Sequence, residues 1–147
     1  MLYVKTASPK RGLPMICLDT DYLIDLWRSR KVAEHPARKA LARYPGEVLV
    51  VCAPVAGEFL EGAACVSEDR LCDAIVFLSL FEFSGITKQT AVQYARTVAQ
   101  LRRSGSLAGA SKADLWIAAW ALEHRALLAT RNRRHFERVE GLRIIDG

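Results

Sequence analysis

Long apolar runs are missing from this sequence: none approaches the roughly 20 residues that a membrane-spanning helix requires, so a membrane partner is not expected. Internal repeats and low-complexity tracts are absent too, which excludes solenoids and arrays. The four cysteines, Cys17, Cys52, Cys65 and Cys72, make no Cys-x-x-Cys pair. They are read as small buried hydrophobes of a reducing cytosol, not as a zinc site or a disulfide framework, and a cytoplasmic location is expected. The opening stretch lacks the apolar core of a secretory signal. Residues 1–14 are read as a flexible basic lead-in, and 15–147 as a single domain. The excess of basic over acidic residues, 21 against 16, is mild and favours an anionic partner only weakly.

What remains is a chain of 147 residues, half of them hydrophobic, enough for a sizeable core. Strands alternate with helices along it. "MICL" (15–18) and "VLVVCA" (48–53) are continuously apolar, as expected of parallel strands buried on both faces. "LFEFSG" (80–85), "ALLAT" (126–130) and "LRIID" (142–146) are further strand candidates. Helical spacing predicts helices over 20–29, 54–66, 68–78 and 112–125, and a long one from Thr87 to about 103. Pro36 starts or interrupts another, polar helical stretch before Pro45-Gly46. The alternation implies one α/β domain with a mostly parallel central sheet flanked by helices. Trp116, Trp120 and Phe59 are expected in its core.

In such a sheet, ligands bind beyond the carboxyl ends of the strands, so acids placed there carry information. Asp19 follows "ICL" directly; by itself it reads as the N-cap of the next helix. Glu58, in "APVAGEFLEGA", lies beside the apolar arc of its helix, and a boundary glutamate reaching water is an equal alternative. Asp114 is the most informative of the acids. The Ser111-Lys112-Ala113-Asp114 start resembles a capping box, but Asp114 also falls on an apolar face with Ala118 and Ala121, opposite Lys112 and Glu123. A carboxylate on such a face costs several kcal/mol unless something pairs with it. Asn132, just past the "ALLAT" strand, reads alone as an ordinary loop residue.

Together the three acids suggest a divalent cation, because crowded carboxylates raise one another's pKa unless neutralised. Mg²⁺ or Mn²⁺ suits oxygen ligands and promotes phosphodiester hydrolysis. Arg131, Arg133, Arg134 and Arg138 cluster past the same strand end, where arginine forks match phosphate. His135 could approach a substrate, though a structural histidine there is commoner.

The chain resembles PIN-domain ribonucleases, specifically VapC-type toxins of bacterial toxin–antitoxin pairs. "LDTDYLIDL", "APVAGEFLEG", "GASKADLWIAAWAL" and "LLATRNRRHFERVEGLRIID" are similar to the family's four segments, in order, from Met15 to Asp146. The resemblance implies a PIN-like fold and Mg²⁺- or Mn²⁺-dependent RNA cleavage by Asp19, Glu58 and Asp114. It also implies a homodimer and a VapB-like antitoxin. Asn132 is neutral where many relatives carry a fourth acid, and is expected as a polar positioning group helped by Thr130. Asp21 stands where relatives usually have Asn. Arg131 and Arg133 are expected to grip the RNA backbone, with Thr130 among the RNA-binding residues. A receiver-like module would need a lysine near the "ATRN" strand end, and none is there. A non-catalytic PIN-fold adaptor, binding RNA or protein, is the alternative.

Overall fold

The computed structural model describes residues 14–32 and 34–145. The lead-in assigned to residues 1–14 therefore lies outside the described residues except for Pro14, as does Asp146. The described chain alternates β1 (Met15–Leu18), α1 (Thr20–Arg28), α2 (Pro36–Ala42), β2 (Val48–Cys52), α3 (Ala53–Ala64), α4 (Glu68–Leu78), β3 (Glu82–Ser84), α5 (Lys88–Arg103), α6 (Lys112–Glu123), β4 (Leu127–Ala129), α7 (Arg133–Phe136) and β5 (Arg143–Ile144).

The five strands form one sheet in the order β3-β2-β1-β4-β5, with every neighbouring pair parallel. All four residues of β1 are buried, because helices cover both faces of the sheet and no residue of the central strand can face water. The chain builds outward from β1 through β2 to β3, then returns to β1's other side for β4 and β5. The strand order thus reverses between β1 and β4, and the carboxyl ends of these two strands flank a crevice.

Trp27, Phe59 and Phe77 pack at 5.0–6.0 Å between ring centroids and tie α1 to α3 and α4. The Arg30 guanidinium lies 4.0 Å over the Trp27 ring, a cation–π contact that closes one side of this cluster. On the other side of the core, the fully buried Trp120 donates its indole N–H to Ser84 Oγ at 2.9 Å. That bond anchors α6 to the edge strand β3.

Several expectations need correction. Cys17 and Cys52 are buried on neighbouring strands, but Cys65 and Cys72 are exposed, since they lie at the end of α3 and on the outer face of α4. Glu123 does not mark a wet side of α6. Its carboxylate accepts from the hydroxyls of Thr90 at 2.6 Å and Thr87 at 3.2 Å, which locks the start of α5 to the end of α6. Trp116 is only partly buried and stacks on Tyr94 with centroids 4.1 Å apart, whereas Trp120 and Phe59 are core residues as expected. The segment after β4 is not all loop: four residues form α7, held down by the buried Phe136.

Candidate active site

Asp19 is the first residue past β1, and its backbone N–H donates to Ala129 O at the end of β4 at 3.0 Å. The last residue of one central strand therefore fixes the residue beyond the other. Asp19 is 4 % exposed. Its Oδ1 accepts from the Asp21 backbone N–H at 2.9 Å, which makes it the N-cap of α1. Its Oδ2 accepts from the Thr130 hydroxyl. Both carboxylate oxygens are therefore held, Oδ1 by the helix cap and Oδ2 by Thr130. Burial pushes the Asp19 carboxyl up from 3.8 to about 6, and the charges of Asp21 and Asp114 add to the rise; the two hydrogen bonds pull the other way without cancelling it.

Thr130 and Asn132 complete a frame around this acid. Thr130 Oγ accepts from the Asn132 backbone N–H at 3.0 Å while its hydroxyl proton goes to Asp19. Both hydrogen bonds of the Thr130 hydroxyl thus go to the protein. The Asn132 side-chain amide donates to Asp21 Oδ2 at 2.9 Å. Asn132 itself is exposed and makes no side-chain cap to α7.

Asp114 occupies the first turn of α6, whose N-cap Ser111 accepts from the Asp114 N–H at 3.0 Å. Its side chain is 25 % exposed, and Oδ2 lies 3.4 Å from Nδ1 of His135 on α7. Glu58 is exposed on α3, accepts from the Thr20 hydroxyl at 2.7 Å and lines a separate cavity with Ile24, Trp27 and Arg70. Thr20 follows Asp19 in the chain, so this bond ties α3 to the start of α1, but Glu58 does not join Asp19 and Asp114 in a cluster of three acids.

Ionic contacts around these acids include His135–Asp114 at 3.4 Å and, one helical turn further on, Arg131–Asp25 at 2.9 Å. Asp19, the buried acid, is unfavourable as a carboxylate there unless it is protonated, hydrogen-bonded or neutralised by a cation. Among the described residues, no three His, Cys, Asp or Glu side chains stand close enough to enclose a metal ion. A zinc-like cage of three or four protein ligands is therefore not formed there. The two carboxylates Asp19 and Asp114, which act on each other electrostatically, fit an ion such as Mg²⁺, which is held by one or two carboxylates and keeps several waters.

Beside the acids, a cavity of about 500 Å³ is lined by Tyr22, Ala37, Thr130, Arg131, Arg133 and other residues. It meets the acidic crevice at Thr130, and none of Asp19, Glu58 and Asp114 lines it. Arg131 is held against Asp25 of α1 by contacts of 2.9 and 3.0 Å, while its side chain remains mostly exposed. Sequence reasoning missed Thr20 as the partner of Glu58 and Asp25 as the partner of Arg131. The signal for Asp25 was available: it follows Asp21 by four residues, so both share one side of α1.

A PIN domain family model matches residues 16–142. The chain is 30 % identical over 133 residues to "Ribonuclease VapC1" of Methanocaldococcus jannaschii, covering 89 % of this chain and 87 % of that protein. Among solved structures, it resembles DNA-bound VapBC from Salmonella typhimurium with a TM-score of 0.76 and 25 % identity, over 91 % of this chain and 98 % of the other. VapBC-1 from nontypeable Haemophilus influenzae matches with a TM-score of 0.73 and 27 % identity, over 90 % and 97 % of the two chains.

Proposed function

The chain belongs to the PIN domain family, and on that footing we propose that it is a Mg²⁺- or Mn²⁺-dependent endoribonuclease, the toxin of a type II toxin–antitoxin pair. The observation that carries this reading is Asp19: a buried acid at the reversal of strand order, held by two hydrogen bonds and raised in pKa by burial and by the nearby charges of Asp21 and Asp114.

In this reading Asp19 and Asp114 hold the divalent cation. When bound, such a cation polarises a phosphoryl oxygen and offsets the charge that builds up during phosphodiester hydrolysis. Glu58, held by Thr20, orients the attacking water and accepts its proton. Thr130 holds the Asp19 carboxylate in place, and Asn132 acts as a polar positioning group. Arg131 and Arg133 grip the RNA backbone across the adjoining cavity, giving affinity that is sensitive to salt and mostly blind to sequence.

The similarity to VapC1 and to VapBC complexes supports a VapB-like antitoxin as partner. A homodimer and a cytoplasmic location belong to the same reading. The exposed apolar side chains Val66, Val76 and Leu80, on and beside α4, offer surface for protein contacts. Among the described residues no helix is long and apolar enough to cross a membrane.

The test is incubation of the purified protein with structured RNAs, with and without Mg²⁺ or Mn²⁺, beside Asp114→Asn. Cleavage that needs the cation and is lost in the variant is expected. RNA binding unaffected by EDTA, with no cleavage under any condition, would replace the nuclease with a binding adaptor.

A further inference from the structure

Asp21 has no role in the reaction as described, yet it is tied into the site more closely than its exposure requires. Its backbone N–H donates to Asp19 Oδ1, the helix cap, and its own Oδ2 accepts from the Asn132 amide at 2.9 Å. The Asn132 N–H donates to Thr130 Oγ, and the Thr130 hydroxyl donates to Asp19 Oδ2. Asp19, Thr130, Asn132 and Asp21 therefore form a closed ring of hydrogen bonds joining the start of α1 to the loop after β4.

A helix-stabilising acid would not need this arrangement. An aspartate in the first turn is already favoured by the helix dipole, with water as its partner. Here a side chain from a segment 111 positions away fixes its direction. The partner is also neutral. Arg131 adjoins Asn132 in the chain, but its guanidinium goes to Asp25, one helical turn further on. A carboxylate only accepts, so the amide nitrogen faces it and orients Asp21 while leaving its negative charge intact.

We propose that Asp21 is the third working carboxylate of the cation site, accepting hydrogen bonds from the waters the ion retains, with Asn132 as its positioning residue. Direct ligation by Asp21 is not required, which agrees with the absence of a three-ligand cage among the described residues. Partners that orient an ion's surroundings in this way typically contribute 10–100-fold in affinity. The inference rests on the metal-dependent reading above and adds a residue to it.

An amide–carboxylate pair carries one charge and one hydrogen bond whichever way round it is built. The acid can therefore be moved across the ring by combining Asp21→Asn with Asn132→Asp. The experiment is Mn²⁺ titration, followed by the paramagnetic signal of free Mn²⁺, on wild type, Asp21→Asn, the exchanged double variant and Asp25→Asn. Melting curves without metal show that each is folded. Asp21→Asn should weaken Mn²⁺ binding by about 10-fold or more. The double variant should regain most of that loss, and Asp25→Asn should bind nearly as wild type does. Unchanged affinity in Asp21→Asn, a double variant no tighter than the single one, or an equal loss in Asp25→Asn would each overturn the proposal. A wild-type protein that takes up no Mn²⁺ would overturn the metal reading itself, a different result from a wild type that binds beside an indifferent Asp21→Asn.

Discussion

The Thr130 hydroxyl donates to Asp19 Oδ2 across 111 residues of chain, joining the carboxyl ends of β4 and β1 at the one place where the strand order reverses. This bond stabilises the charged form of an acid that burial disfavours. Thr130→Val should therefore raise the Asp19 pKa of the metal-free protein above about 6, with Thr130→Ser restoring it. A hydrogen bond to a charged group contributes about 1.5–3 kcal/mol, so the shift should be easily resolved by NMR titration of the Asp19 carboxyl in EDTA.

Asp19 also sets a pH dependence of stability. Between its ordinary value of 3.8 and its folded value of about 6, the folded chain keeps a proton that the unfolded chain has lost. Stability of the metal-free protein should thus fall as pH rises through that window, by up to about 3 kcal/mol, and stay low above it. Asp19→Asn retains a good capping side chain. It should be more stable than wild type at neutral pH in EDTA, flatten the pH profile and abolish cleavage. Thermal melts across the window check the sign, and added Mg²⁺ should raise the melting temperature of wild type alone.

Asp114→Asn should eliminate cation-dependent cleavage with little change in melting temperature, because Asn remains compatible with the Ser111 cap. Ser111→Ala removes that cap and should cost about 0.5–2 kcal/mol. It should also lower the cleavage rate by loosening the turn that presents Asp114, as measured by denaturant melts beside initial rates.

Arg133→Ala should weaken RNA binding across sequences and reduce the salt slope by about 1. Arg131 is held by Asp25, so Asp25→Ala should lower RNA affinity through Arg131 without altering Mn²⁺ binding. Fluorescence anisotropy over a salt series distinguishes the two.

The sheet could be read from the chain because its strands obey a strong rule: "MICL" and "VLVVC" are apolar throughout when buried on both faces, and they appear as β1 and β2 at the expected places. The helix starts were equally readable from Asp19, Thr87 and Ser111, each of which caps its helix. The short edge strands were overestimated, since β5 pairs with β4 at only two described positions. The fate of individual polar groups was less accessible. Nothing local in "DTDYLID" says that Asp21 meets Asn132, or in "WALEH" that Glu123 is held by two threonines of α5. Those pairings depend on which strand ends become neighbours, a property of the whole topology. The exposed Cys65 and Cys72 illustrate the opposite error, in which a usual preference for the interior was applied to residues on an outer helix face.

The ring around Asp19 is anchored on β1 and β4, interior strands flanked on either side, while the two-residue β5 and three-residue β3 form the borders. Fraying at either border can come and go without separating the acids. Amide exchange should accordingly be fast at the sheet's margins and slowest at the Asp19 N–H, and the protein should remain an intact nuclease until the moment it unfolds globally.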